Sequence, residues 1–195
     1  KKDGPGLLHN RAAAIFHAGE DAVRGLQESL GHRFADLSLL ACALTHPSFP
    51  SRANNQRLEF LGDAVLQLCV SELLYGSGND KEGRLTFKRQ RLVCEEALAD
   101  VARGIGLGPC LLMEDSFRAQ GGDAQDSVLA DAMEAVLAAV YLDGGLLSAR
   151  EAVRKLWGDR ISSAEPNLDP KGALQAWAAG KGLPEPEYRL TGEEG

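Results

Sequence analysis

Glu59 and Asp63 stand four residues apart, and Asp131 and Glu134 stand three apart. Each pair lies in a segment that is otherwise nearly all apolar; from Val128 to Leu142, Asp131 and Glu134 are the only carboxylates. At about 100° per residue, an i,i+4 pair is offset by about 40° and an i,i+3 pair by about 60°, so each pair shares one helix face. A bare carboxylate in apolar surroundings is costly unless a cation pairs with it. Two pairs on two such helices therefore call for positive charge between them. A divalent metal would supply it. An internal ion-pair network would too, since Arg57 and the basic run around Lys88 are at hand, and spacing alone leaves both readings open.

The donor set narrows the metal. All four side chains offer oxygen, and no His or Cys stands at ligand spacing with them. Oxygen donors suit Mg²⁺, Mn²⁺ or Ca²⁺ and disfavour zinc. Helical di-iron carboxylate proteins add a Glu-x-x-His pair, whereas His9, His17, His32 and His46 all lie outside the two acidic segments. Mg²⁺ keeps several waters and is held by one or two carboxylates together with substrate phosphates. The acids thus point toward phosphate chemistry.

The elements that carry these residues read as helices. The first acidic segment runs from about Asn55 to Tyr75, and Leu58, Leu61, Val65, Leu66, Leu68, Val70 and Leu73 cover most of its circumference, the pattern of a deeply buried helix. Ser127 opens the second, and Asp143-Gly144-Gly145 closes it. Its many alanines allow a neighbouring backbone to come close. Before these, a helix is expected from Asp21 to just before Gly31, and another from the N-cap Asp36 to about Leu44, ended by Pro47 and Pro50. One continuous helix is expected from Thr86 to about Arg103, and a last one from Leu147 to Ile161. No strand alternation precedes Pro184, so the main domain reads as all-α.

Residues 56–63, Gln-Arg-Leu-Glu-Phe-Leu-Gly-Asp, resemble the signature of the ribonuclease III family. The second half is similar to that family as well, in Leu129-Ala130-Asp131-Ala132-Met133-Glu134-Ala135 and in Ala139-Val140-Tyr141-Leu142-Asp143-Gly144-Gly145. Thr45-His46-Pro47-Ser48-Phe49 resembles the loop before the signature. Asp169 to Trp177, followed by Gly182 to Leu190, resembles the opening helix and first strand of a double-stranded-RNA-binding domain. The resemblance implies an extension over 1–20, an endonuclease domain over 21–161, a linker over 162–168 and an incomplete α/β RNA-binding domain over 169–195. About 27 residues cannot bury a core of their own, since chains below roughly 40 residues rarely do.

The same resemblance implies an endoribonuclease that cuts double-stranded RNA with Mg²⁺, for which Mn²⁺ substitutes, and leaves 5′-phosphate and 3′-hydroxyl ends with short 3′ overhangs. Glu59, Asp63, Asp131 and Glu134 would be the metal ligands, with Asp63 and Glu134 the catalytic pair. Lys88, Arg89 and Gln175 would touch RNA, and Phe60 would plug a pocket on the partner of a homodimer. Roles in ribosomal and messenger RNA processing in the cytoplasm follow on the same ground. Two departures stand out. Gln56 replaces the family's usual Glu, and the loop 120–126 (QGGDAQD) is acidic where relatives often carry basic residues. Two rival readings are a non-cleaving duplex-RNA scaffold, whose mark would be degenerate acids, and a helical metal protein acting on a small phosphorylated substrate.

Bulk properties agree with a folded enzyme domain. At 195 residues, one domain of about 140 residues with appendages is reasonable. The net charge of −7 argues against nucleic acid only if charge is evenly spread, and residues 81–93 hold Lys81, Arg84, Lys88, Arg89 and Arg91 against Glu82 alone. No apolar run approaches the roughly 20 residues that span a bilayer, residues 1–20 lack the apolar core of a secretory leader, and neither a membrane partner nor a small-molecule cofactor is expected. The four cysteines form no Cys-x-x-Cys pair, and Cys69 and Cys94 are expected to be buried free thiols.

Overall fold

The structure, a computed structural model, describes residues 20–163 together with 175, 178, 182–184 and 186. The chain divides into two units, Lys1–Ala164 and Glu165–Gly195. In the first, the described residues form seven α helices: α1 (Glu20–Leu30), α2 (Leu37–Ala43), α3 (Gln56–Gly76), α4 (Glu82–Leu92), α5 (Glu95–Gly104), α6 (Asp115–Ala119) and α7 (Asp126–Ser163). Short 3₁₀ turns at Gly108–Cys110 and Gly122–Ala124 join the later ones. The only β pairing among the described residues is an isolated parallel bridge between Thr45 and Leu112. The unit is all-α, as the hydrophobic periodicity indicates.

α7 is the axle of the fold. Ala132, Met133 and every residue from Ala135 to Val140 are fully buried, which requires neighbours on all sides. α3 lies along one side of it, and α5 and α2 pack on others. By length and composition α7 is apolar enough to cross a membrane, which corrects the expectation that no such run exists; half of that window is buried within the fold, and the central helix of a helical domain meets the same criterion. At Gly145 the backbone takes φ 74°, ψ −177° and breaks the helix, where the Asp-Gly-Gly triplet predicts a stop. A non-glycine residue resists positive φ.

α3 departs from expectation at Leu68. Leu58, Gly62, Val65, Leu66, Cys69, Val70 and Leu74 form its buried stripe; Leu68, expected with them, is 48% exposed, beside Phe60 at 84% and Tyr75 at 81%. The helix buries one face and presents a second apolar face outward. The helix expected from Thr86 to Arg103 is two helices, α4 and α5, broken at Val93 and Cys94. The break lets Leu92 turn inward, and its carbonyl accepts a 2.9 Å hydrogen bond from Nε1 of the fully buried Trp157. Cys94 takes the N-cap position of α5 and is exposed, whereas Cys69 is buried.

Two capping arrangements hold the chain around α7. Asp36 caps α2 by accepting from Ser38 N at 2.9 Å, as its sequence position predicts. Asp143, at the end of the first half of α7, accepts from Ala35 N (3.0 Å), Asp36 N (2.8 Å) and His32 Nε2 (2.8 Å). Burial acts to raise the Asp143 pKa, but the two backbone N–H groups and the His32 ring outweigh it and hold the carboxylate below its ordinary value.

In the second unit Gln175 and Ala178 are helical, and Leu183 N donates to Ala178 O at 2.9 Å. Residues 162 and 163 of the expected linker 162–168 belong to α7; the extension through residue 19, the rest of that linker and most of the expected RNA-binding segment 169–195 lie outside the described residues.

Candidate active site

Gly62 is the reason the two acidic pairs meet. A Cβ added at Gly62 would fall 1.9 Å from the carbonyl oxygen of Glu134 and 2.4 Å from its carbonyl carbon. The α3 backbone therefore rests directly on the α7 backbone at Glu134. Glu59 and Asp63 sit three residues before and one after this contact; Asp131 is one turn before it on the other helix. The close approach of two backbones at a small residue, which the alanines of α7 suggest, happens here through the signature glycine.

The electrostatics show how near the four carboxyls are. Glu134 has its pKa raised from 4.5 to about 8, first by burial and then by Asp63, Asp131 and Glu59 in turn. Glu59 is raised by burial and then by Asp131. Asp131 is raised by burial and by Glu95, with His46 acting against both. Like charges gathered in a partly desolvated place produce this pattern, and perturbed acids of this kind cluster at functional sites.

The side chains do not form a closed ligand shell as they stand. Among the described residues, no three His, Cys, Asp or Glu side chains are placed to hold one ion together. Part of the reason is visible in Asp63, whose carboxylate turns along its own helix to accept from Gln67 Nε2 at 2.9 and 3.2 Å. The donor chemistry fits a hard divalent cation: Glu59, Asp131 and Glu134 are all shifted upward in a partly desolvated place, and bound positive charge would reverse that.

Two neighbours of the acids are not among the site residues that the sequence predicts. Glu95, in the first turn of α5, acts on Asp131; an acid just after the N-cap reads as ordinary helix capping, so sequence offers no signal for it. His46 stands in the loop before α3. Its backbone N donates to Leu112 O at 2.8 Å, and Leu112 N donates to Leu44 O at 2.8 Å. Its ring stacks on Phe117 with centroids 4.9 Å apart and planes 16° apart. The Thr-His-Pro-Ser-Phe string was the available clue.

The basic candidates have partners of their own. Lys88 Nζ bonds Asp80 at 2.7 Å with its side chain only 14% exposed, and Arg84 bonds the same carboxylate. Arg89 Nη1 donates to Ser71 Oγ at 3.0 Å and lines a groove with Tyr75 and Leu85. Lys81 and Arg91 are exposed. Gln175 is an exposed helical residue of the second unit. In the acidic loop, Asp123 pairs with Arg118 at 2.8 Å and Asp126 with Arg103, so these acids serve the loop's own structure.

The family model described as Ribonuclease-III-like matches residues 36–160. Ribonuclease 3 of Jannaschia sp. (strain CCS1) is 48% identical over 172 residues, covering 86% of this chain and 76% of that protein. The chain belongs to the ribonuclease III family. Ribonuclease 3 of Rhodobacter capsulatus is 48% identical over 172 residues, covering 86% of this chain and 75% of that protein. A solved structure of the nuclease domain of ribonuclease III from Campylobacter jejuni, described for flexibility in a region involved in its dimer formation, aligns with TM-score 0.66 and 41% identity. It covers 70% of this chain, which in turn covers 96% of that domain. As a ribonuclease III the chain is a double-strand-specific endoribonuclease, and its helical unit has the family's nuclease fold.

Proposed function

We propose that this ribonuclease III hydrolyses phosphodiester bonds of double-stranded RNA with Mg²⁺ or Mn²⁺ held by Glu59, Asp63, Asp131 and Glu134, with Asp63 and Glu134 the catalytic pair. The observation that carries the reading is the mutual effect of the acids: three other carboxylates, beyond burial, drive Glu134 to about 8. A bound divalent ion supplies a water of lowered pKa and positive charge for the phosphate oxygens. Glu134 would hold the ion as a carboxylate, and Asp63, which accepts from Gln67 Nε2 in this structure, would hold it from the facing helix, with Gly62 keeping the two helices close. The attacking group is water; Ser48 Oγ, 2.9 Å from His46 Nδ1, also accepts from Glu114 N and belongs to the loop's own hydrogen bonding. The products carry 5′-phosphate and 3′-hydroxyl ends.

Duplex cleavage asks for two sites, and a homodimer provides them. The outward face of α3 offers Phe60, Leu68 and Tyr75, an apolar stripe of the kind that marks an interaction site. A twofold-symmetric pair joined through it presents two acidic clusters to one duplex, giving offset cuts and short 3′ overhangs. Phe60→Ala should shift the chain toward monomer in sedimentation; an unchanged dimer would remove Phe60 from the interface. Duplex RNA is read through shape, phosphates and 2′-hydroxyls. Arg89, Gln175 and Lys88, once Lys88 exchanges Asp80 for phosphate, are proposed contacts, with 169–195 as the start of an RNA-binding domain. Processing of ribosomal and messenger RNA in the cytoplasm is the corresponding cellular role.

The test is direct. Long duplex RNA is incubated with the chain in Mg²⁺, in Mn²⁺ and in EDTA, beside a single-stranded control, and the product ends are mapped. Cleavage confined to duplex and to the metal arms, with 5′-phosphate ends, is expected. Cleavage that survives EDTA would overturn the metal assignment.

A further inference from the structure

The environment of His46 determines which of its nitrogens carries a proton. Ser48 N points at His46 Nδ1 from 3.1 Å, and a backbone N–H can only donate. Nδ1 is therefore an acceptor, and the ring is the neutral tautomer with its hydrogen on Nε2. Ser48 Oγ lies 2.9 Å from the same Nδ1 and accepts from Glu114 N at 3.1 Å, so the hydroxyl hydrogen is free to donate to Nδ1 as well. Both contacts fall on Nδ1 and leave the ring hydrogen to Nε2.

The ring cannot swing. Phe117 stacks on it, and the strand-like pairing at Thr45 and Leu112 anchors the backbone beneath. Nε2–H has no hydrogen-bond partner among the described residues, although the residue is half-buried. The carbonyl of the preceding Thr45 accepts from Asn55 N at 2.9 Å, and Asn55 O accepts from Glu59 N at 2.8 Å, so the His46 loop is bonded to the turn of α3 that carries Glu59; Asp131 also acts on the ring electrostatically. A donor held in one direction before substrate arrives is worth most where negative charge gathers.

We propose that His46 is a substrate-positioning residue of this nuclease, its Nε2–H donating to a backbone oxygen of the RNA strand beside the scissile phosphate. The inference rests on the nuclease reading above. A purely structural role, with His46 only pinning the loop through Nδ1, is the competing account.

Two substitutions separate them. His46→Asn keeps an acceptor where Nδ1 was and deletes Nε2–H. His46→Gln places an amide N–H near the Nε2 position and weakens the bond from Ser48. Both are compared with wild type in the 195-residue chain for melting temperature, for kcat and KM on duplex RNA, and for the Mg²⁺ concentration giving half the maximal rate. The expected result is a His46→Asn variant that melts like wild type and loses on the order of 10²-fold in rate, with His46→Gln recovering much of that loss despite melting lower. A second arm replaces the 2′-hydroxyls flanking the cut by hydrogen. If the Asn defect vanishes there, the acceptor is a 2′-hydroxyl; if it persists, the acceptor is a phosphate oxygen.

Rates that follow melting temperature, or a His46→Asn variant that cleaves like wild type, would overturn the proposal. So would a variant whose defect is cured by more Mg²⁺, because His46 would then act through Asp131. A wild-type chain inert on duplex RNA would sink the nuclease reading itself, and this proposal with it, which distinguishes the two failures.

Discussion

Gly62→Ala tests the contact on which the site depends. The added methyl carbon would sit 1.9 Å from Glu134 O and 3.0 Å from Glu134 Cα. A carbon beside a carbonyl oxygen needs about 3.3 Å, so α3 and α7 must part by roughly 1.4 Å. The atoms in the way are backbone of a fully packed helix, which has no rotamer to change. Overpacking of this kind costs about 1–3 kcal/mol. Alanine returns about 1 kcal/mol of helix propensity, leaving a net loss of up to about 2 kcal/mol. At roughly 2–4 °C per kcal/mol for a domain of this size, melting should fall by up to about 8 °C. Activity should fall further. A displacement of about 1 Å can cost 10²-fold in rate, and Glu59 and Asp63 travel with α3 away from Glu134 and Asp131. The assays are thermal unfolding by circular dichroism and duplex-RNA cleavage in Mg²⁺, with Gly25→Ala as control. Gly25 lies in α1 with nothing within 4 Å of an added Cβ, so alanine there should raise melting slightly and leave cleavage alone. A Gly62→Ala variant that melts and cleaves like wild type would refute the close approach as the device that assembles the site.

Glu134→Gln removes a charge that three neighbouring acids disfavour; without metal the variant should be at least as stable as wild type, bind duplex RNA in a gel-shift assay, and cleave at least about 10²-fold more slowly. Trp157→Phe keeps the aromatic bulk but leaves Leu92 O unpaired in the core; a loss of about 1–3 kcal/mol is expected in urea unfolding, with cleavage little changed. Asp143 is held below its ordinary value when folded, so its stabilisation is present above the unfolded pKa of about 3.9 and fades as pH falls through the lower folded value. Asp143→Asn should therefore lower stability at neutral pH and flatten the acid limb of a stability-against-pH curve; equal acid limbs would exclude the role given to Asp143.

Much of this was legible because helical periodicity and the acid spacing carry information locally. The N-cap at Asp36, the break at Gly145 and the pairing of acids on shared faces all depend on residues a turn or less apart. The misread places depend on distant partners. Leu68 belongs to an apolar helix, and only the position of α7 decides which of its apolar residues face outward. The break between α4 and α5 serves a bond from Trp157 to Leu92 O, 65 residues away along the chain. Lys88 reads as a free cation until Asp80 folds back on it. Glu95 and His46 come to the acids through tertiary packing, which periodicity cannot anticipate.

The order of the helices also has a temporal consequence. α7, the element against which α2, α3 and α5 bury their apolar faces, is the last helix of the unit to leave the ribosome. At about 5–20 residues per second, α3 would wait several seconds after synthesis before its partner emerges. During that interval Glu59 and Asp63 exist without Asp131 and Glu134, on a helix whose main packing partner is missing. On the metal-site reading proposed above, a nascent fragment holds only half of the acids and is chemically harmless to the messenger being translated; the capacity to cut would arrive with α7.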